Sequence, residues 1–411
     1  MHALLREKTT FAMRTKQKRK SLFTQLYQKR HSAWRNNYKL HNLFYPYIME
    51  QKDLQHIANQ FEIEGNVTEV KPLGNGLINT TYKVVTEGNA PDYVMQHINT
   101  DIFPDVDMLM GNIVAVTGHI RKKLEAKHTA DIDRKVLKFV PCKDGKYYYK
   151  HDGKFWRIMV FIPDTVSKSG VTPESSYIVG ETFGDFQAML ADIPEQLGET
   201  IKDFHNIEFR LQQFQDAVKA NKAGRLDGVK DIVEEIEKRA DDMCRSERLF
   251  REGKLPKRIC HCDTKVDNIL FDKDDNVLCV IDLDTVMPNF IFSDFGDFLR
   301  SAANTMPEDS PEYDKIAFRM DIFKSFTEGY LKTARVFLTP IEIENLPYAA
   351  TLFPYMQLVR FFADYLDGDK YYKIQYPEHN LVRSKNQLTL LKRAEEKLGE
   401  MQAFIDEQLK K

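Results

Sequence analysis

The hydrophobic periodicity of this chain changes character once, just after Pro163, and that change restricts its fold more than any other feature. Upstream, "VTEVKPLGNGLINTTYKVVTEG" (67–88) carries β-rich runs on either side of a Gly-containing turn, as a hairpin does. "DYVMQHIN" (92–99) is a further strand, and "VLKFVPCKDGKYYYKHDGKFWRIMVFIP" (136–163) supplies two or three more, separated by "KDG" and "HDG" turns. A single amphipathic helix, "MLMGNIVAVTGHIRKKLEAK" (108–127), interrupts them. Downstream, "PESSYIVGETFGDFQAMLADI", "VKDIVEEIEKRADDMCRSERLF" and most of 311–411 have helical spacing, broken by two short β runs, "NILFD" and "NVLCVIDLD", around a "KDDN" turn. Strands followed by helices, rather than alternating with them, predict an α+β fold. The expected arrangement is bilobal: a β-rich amino-terminal lobe over 53–162, a linker near 161–170, and a mostly helical carboxy-terminal lobe over 163–411.

Charge sets one segment apart. Residues 1–48 hold eleven Lys or Arg against one acid, Glu7, a balance of about +10, and the rest holds 48 basic and 60 acidic residues, about −12. The main body therefore lacks the basic balance that favours nucleic acid, and only residues 1–48, with Phe23, Tyr27, Trp34 and Tyr38 among the cations, suggest such a partner. Residues 1–52 are expected to be a poorly ordered extension, or no native part of the protein if translation begins at Met49. No apolar run reaches the ~20 residues that span a bilayer, and no apolar segment follows the basic start as in a secretory signal. Five irregularly spaced cysteines give no disulfide framework. A cytoplasmic protein without membrane contact is the expectation.

The stretch most suggestive of chemistry is "HCDTKVDN" (261–268), followed by the β run ending "VIDLD". Transfer of a phosphoryl group needs a carboxylate beside the attacking hydroxyl and oxygen ligands for Mg²⁺ on the phosphates. Asp263 suits the first role. Asn268 and, on the neighbouring run, Asp282 suit the second, with Asp284 expected as a further ligand. Lys265 would bring positive charge to the transferring phosphate. In the amino-terminal lobe, the turn "LGNGLINTTY" would approach nucleotide phosphates through backbone N–H groups: Gly74 and Gly76 permit the bend, and Asn75, Asn79 and Thr80 add short polar side chains. The rival reading of "CHC" (260–262) as a metal site fails on strand alternation, which puts Cys260 and Cys262 on one side and His261 on the other. His205, in "DFHNI", reads as a packing residue.

With these segments in view, the chain resembles the aminoglycoside-phosphotransferase-like kinase superfamily and, within it, the N-acetylhexosamine 1-kinases. The resemblance runs in order through "GNGLINTTY", "HINTDIFPDV", "FGDFQ", "HCDTKVDNIL", "VIDLDTVMP", "DFGDFLR", "RFFADYLDGDKYY" and "YPEHNLVR", over about 57–410. It implies a protein-kinase-like fold and transfer of the γ-phosphoryl group of ATP or another nucleoside triphosphate, with Mg²⁺, to the anomeric hydroxyl of N-acetylglucosamine or N-acetylgalactosamine. It also implies Asp263 as base, Asn268 and Asp282 as Mg²⁺ ligands, and Arg360 as a sugar-pocket residue. Asp294 and Asp297, in "DFGDFLR", read as acids bracing the catalytic loop. The chain departs from expected patterns at Gln96, where protein kinases carry a Lys, and at Cys262, where the family has Asn. It departs again at Asn75 and Leu77, where Asp and His are usual. The alternatives are a kinase of another small hydroxyl acceptor (another sugar, choline or an aminoglycoside) or a kinase-fold binding protein without catalysis.

Overall fold

The computed structural model describes residues 49–74, 78–168 and 170–410. The basic segment 1–48 and the turn residues Asn75, Gly76 and Leu77 lie outside them. Ile57–Lys411 form one compact unit.

Its amino-terminal part is an antiparallel sheet in the order β1-β2-β3-β6-β4, with β5 pairing to β6. These strands are β1 Val67–Pro72, β2 Thr80–Thr86, β3 Tyr93–Ile98, β4 Phe139–Val140, β5 Tyr149–His151 and β6 Lys154–Val160. The expected hairpin is β1 paired with β2, and β3 joins β6 with Gln96 opposite Arg157. Helix α1, Val106–Ala126, is capped by Asp105, whose carboxylate accepts from the Met108 N–H. It buries Leu109, Ile113, Val116 and Ile120 in an apolar cluster with Met159, Leu278 and Leu283.

After the linker the chain is mostly helical. Helix α2, Pro173–Leu190, opens with a Thr172–Ser175 capping box and Pro at its start. It packs against α4, Met320–Ala334, through glycines. A Cβ at Gly329 would fall 2.0 Å from the Tyr177 carbonyl oxygen, and one at Gly180 2.2 Å from that of Phe326. The two backbones thus touch where other pairs are kept apart by side chains. Helices α3, Phe292–Ala302, and α5, Leu346–Asp367, complete the wall behind the site, with Phe295, Phe298, Phe323, Phe326 and Tyr330 fully buried between elements. Two small antiparallel pairs sit between the strand-rich and helical parts: β7 Arg258–Cys260 with β10 Met287–Asn289, and β8 Ile269–Phe271 with β9 Val277–Val280. The molecule is the expected α+β fold, an antiparallel lobe followed by a helical one. No helix among the described residues is long and apolar enough to cross a membrane.

Candidate active site

The segment between β7 and β8 is held almost entirely by its neighbours' polar groups. Asp294, buried at the start of α3, accepts from the backbone N–H of His261 at 2.9 Å and of Cys262 at 2.7 Å, and from the Gln187 amide at 2.7 Å. Its own carbonyl accepts from the Thr264 hydroxyl at 2.6 Å. The bracing role expected for Asp294 is thus exerted through the loop's backbone, not through the His261 ring. That ring, between Phe183 and Phe186, bonds through Nε2 to the Ile281 carbonyl at 2.9 Å. The Thr285 hydroxyl donates to the His261 carbonyl at 2.7 Å, and the Ile281 N–H donates to the Asn268 carbonyl at 2.9 Å. The segments 261–268 and 281–285 are laced into one unit.

β7 ends at Cys260, so Cys262 is not on a strand, as the alternation argument assumed; its φ is +62°. Both thiols nevertheless lie in one small apolar cluster with Met287, and His261 points elsewhere. A left-handed backbone favours Asn over other non-glycine residues, which gives a physical reason for the Asn that the resemblance implies at this position. Cys262 accepts the strain. Among the described residues no group of three or more His, Cys, Asp or Glu is placed to hold a metal.

A 3-10 turn over Val266–Asn268 folds Asn268 back onto Asp263. Its Nδ2 donates to the Asp263 carbonyl at 2.8 Å and to Asp263 Oδ2 at 3.1 Å, while Lys265 Nζ donates to the same Oδ2 at 2.8 Å. Asp263 Oδ1 and Asn268 Oδ1 accept no hydrogen bond among the described residues. β9 ends at Val280, and Asp282 sits in a left-handed turn two residues beyond it, at φ 61° and ψ 57°, rather than on the strand. Its oxygens also have no donor among the described residues. Asp284 is the opposite case. Its Oδ1 takes the Arg157 guanidinium and its Oδ2 the Asn79 amide at 2.6 Å, with both Arg157 and Asp284 side chains under 5 % exposed.

These surroundings sort the ionisable groups. Burial pushes the Asp263 carboxyl up, but the charge and hydrogen bond of Lys265, aided by Asn268, outweigh it and hold Asp263 below its ordinary range. Asp282 opens to the cavity, yet its depth, followed by the charges of Asp284 and Asp263, raises it to about 6. Asp297 is likewise raised to about 6, by burial and the Asp263 charge against Arg300. Negative charge here exceeds what the protein itself neutralises.

One cavity of about 450 Å³ gathers Asp263, Lys265, Asn268, Asp282, Asp284, Asn79 and Gln96, closed by an apolar wall that includes Val94, Met159, Phe161, Leu270 and Ile281. Gly74, at φ +67°, makes the bend that only glycine adopts freely, but neither it nor Thr80 lines this cavity. Asn79 is engaged at both ends, by Asp284 and by the Asn99 N–H at 3.0 Å. Arg360, on α5, lines a second cavity instead, with Arg210, Tyr371 and Tyr372.

The residue that sequence reasoning missed is Arg157. It donates to Gln96 Oε1 at 3.0 and 2.8 Å as well as to Asp284, so a buried cation stands beside the glutamine that replaces the protein-kinase lysine. The signal was present: a charged residue within the apolar run "FWRIMVF".

Comparison with known proteins agrees with this geometry. Residues 69–332 match the model of the phosphotransferase enzyme family APH, and the chain belongs to that family. It is a phosphotransferase. Among solved structures, an aminoglycoside phosphotransferase from Alicyclobacillus acidocaldarius superposes with a TM-score of 0.57 at 14% identity, covering 88% of this chain and 98% of that one. Spectinomycin phosphotransferase in complex with ADP and spectinomycin gives 0.53 at 12% identity, over 85% and 99%. Choline kinase from Cryptosporidium parvum gives 0.53 at 14%, over 86% and 99%. At such identities the superpositions speak for the fold.

Proposed function

We propose that this protein transfers the γ-phosphoryl group of ATP or a related nucleoside triphosphate to the anomeric hydroxyl of an N-acetylhexosamine, giving the α-1-phosphate. The observation that carries the transfer is Asp263: it lines the cavity, with one carboxylate oxygen pinned by Lys265 and Asn268 and the other without a donor among the described residues. The choice of sugar rests on the motif resemblance, "HCDTKVDNIL" to "YPEHNLVR". Arg360, the sugar-pocket residue that the resemblance implies, lines the second cavity and so does not discriminate among acceptors at Asp263.

Asp263 Oδ1 aligns the acceptor hydroxyl for in-line attack. A carboxylate held below its ordinary range is a weak base, so it orients the hydroxyl first and takes its proton late, as the new P–O bond forms and the bond to the β-phosphate breaks. No bond to the anomeric carbon changes, so its configuration is retained. Lys265 is positioned to leave Asp263 for the transferring phosphate. Asn268 Oδ1 and Asp282 fit Mg²⁺: both are hard oxygen donors without a partner among the described residues, and the unneutralised charge that raises Asp282 is what a divalent cation relieves. When bound, that ion supplies charge neutralisation on the phosphates. Asp284 holds the turn through Arg157 and Asn79, with its remaining lone pairs available to a second ion.

A panel of free sugars, choline and aminoglycosides, each with ATP and Mg²⁺ and scored for acceptor-dependent ADP release, tests the proposal. Turnover with an N-acetylhexosamine supports it. Turnover only with choline or an aminoglycoside overturns the acceptor, and none with any acceptor overturns the reaction.

A further inference from the structure

The second cavity, about 440 Å³, is built against helix Ile207–Ala220 and α5. Three carboxylates line it, and their hydrogen-bond capacity is largely taken up by neighbours. Asp364 accepts from the backbone N–H groups of Lys370, Tyr371 and Tyr372 and from the Asn380 amide. Asp367 pairs with Lys222 and Lys370, and Asp216 accepts from Gln212. The two guanidiniums are treated differently. Arg210 donates only to the Phe204 carbonyl and to Gln213, and Arg360 only to Gln357 at 3.2 Å. Neither forms an ion pair among the described residues.

Arg360 lies over three rings, Phe204, Tyr371 and Tyr372, at 5.4, 5.9 and 5.7 Å from their centroids. Rings beside a guanidinium take up none of its N–H groups as an acid would, and a free pair of those groups can meet an oxyanion with two parallel hydrogen bonds. The uncompensated positive charge registers on its neighbours. Burial and then the Arg360 charge lower Arg210 to about 10, and burial followed by Arg360, Arg210 and Arg300 holds His205 well below the ordinary imidazole value. His205, stacked on Phe204, also keeps a buried Nδ1 without a partner among the described residues.

We propose that Arg210 and Arg360 form a site for an oxyanion: a carboxylate, phosphate or sulfate, either carried on the acceptor or supplied as a free ion. This goes beyond the phosphotransfer reading and does not depend on it, because it is read by binding without nucleotide. Calorimetry at low salt compares inorganic sulfate, N-acetylglucosamine and N-acetylglucosamine 6-sulfate on the full chain and on Arg360→Gln, Arg210→Gln and Asp263→Asn. The expected result is saturable sulfate binding, weakened about tenfold or more in Arg360→Gln, with Asp263→Asn, which frees Lys265, failing to abolish it. Because Arg210 also holds the Phe204 carbonyl, its variant counts only if its thermal midpoint matches the parent, and Arg360→Gln decides otherwise. Tighter binding of the sulfated sugar than of either part assigns the anion to the acceptor. Equal binding of sugar sulfate and inorganic sulfate assigns a free ion. Sulfate binding that is absent, or the same in parent and Arg360→Gln, overturns the site.

Discussion

Two cavities of nearly equal size, about 450 and 440 Å³, have opposite electrostatic deficits. In the first, the groups without partners among the described residues are carboxylate and amide oxygens: Asp263 Oδ1, both oxygens of Asp282 and Asn268 Oδ1. In the second they are guanidinium N–H groups. Buried charge is tolerated when paired, so an unpaired set of one sign marks where a ligand of the other sign completes the structure. On the two proposals above, a cation carrying phosphates completes the first cavity and an anion recognised directly completes the second.

The comparison breaks most decisively at Asp263. Asp263→Asn is expected to lower kcat by about 10²–10⁴-fold while the thermal midpoint stays within ~2 °C, the usual range for loss of a positioned acid–base group. Activity near that of the parent would remove Asp263 from the reaction. The next effect separates two acids only two residues apart. Asp282→Asn should abolish Mg²⁺-dependent turnover with the fold intact. Asp284→Asn should instead cost about 3–5 kcal/mol in denaturant unfolding, because it strands the Arg157 charge in the interior. An exchange of those two phenotypes would exchange the assigned roles.

A smaller effect concerns pH. Burial, with the Asp263 charge, raises Asp297 to about 6 in the fold against an ordinary aspartate value near 4, so its ionised form is disfavoured by folding. The stability this group permits is fully present below the unfolded value and declines as pH rises through about 6. Asp297→Asn should therefore match the parent near pH 4 and exceed it above pH 6.5, on the order of 2 kcal/mol. Denaturation curves at the two pH values check it, and a deficit at high pH would show that the ion pair with Arg300 outweighs burial. The smallest effect is Cys262→Asn, expected to raise stability by no more than about 1 kcal/mol through relief of the left-handed backbone, with kcat within about twofold.

The sequence made the architecture readable because both periodicities are local. The hairpin at 67–86, the capped start at Thr172 and the spacing from Asp263 to Asn268 and Asp282 all act over short separations. What it hid were partnerships across long ones. Arg157 meets Asp284 across 127 residues, and Asn79 meets Asp284 across 205, so nothing near Asp284 shows that it differs from Asp282. Arg360 was visible as a residue, but that it forms no ion pair among the described residues, with Asp364 one turn away on α5, is a property of packing. The two halves of the Asp294 cradle, backbone at 261–262 and carboxylate at 294, were legible only as a neighbouring acid-rich motif.

The Gln96–Arg157–Asp284 connection has a consequence for traffic through the enzyme. It rivets the floor of the strand-rich lobe to the turn that carries Asp282. Prising the lobes apart like a clamshell would tear a guanidinium from the one carboxylate that pairs with it among the described residues, in a dry setting. If nucleotide fills this cleft as proposed, a closed rivet directs its exchange through the mouth of the cleft.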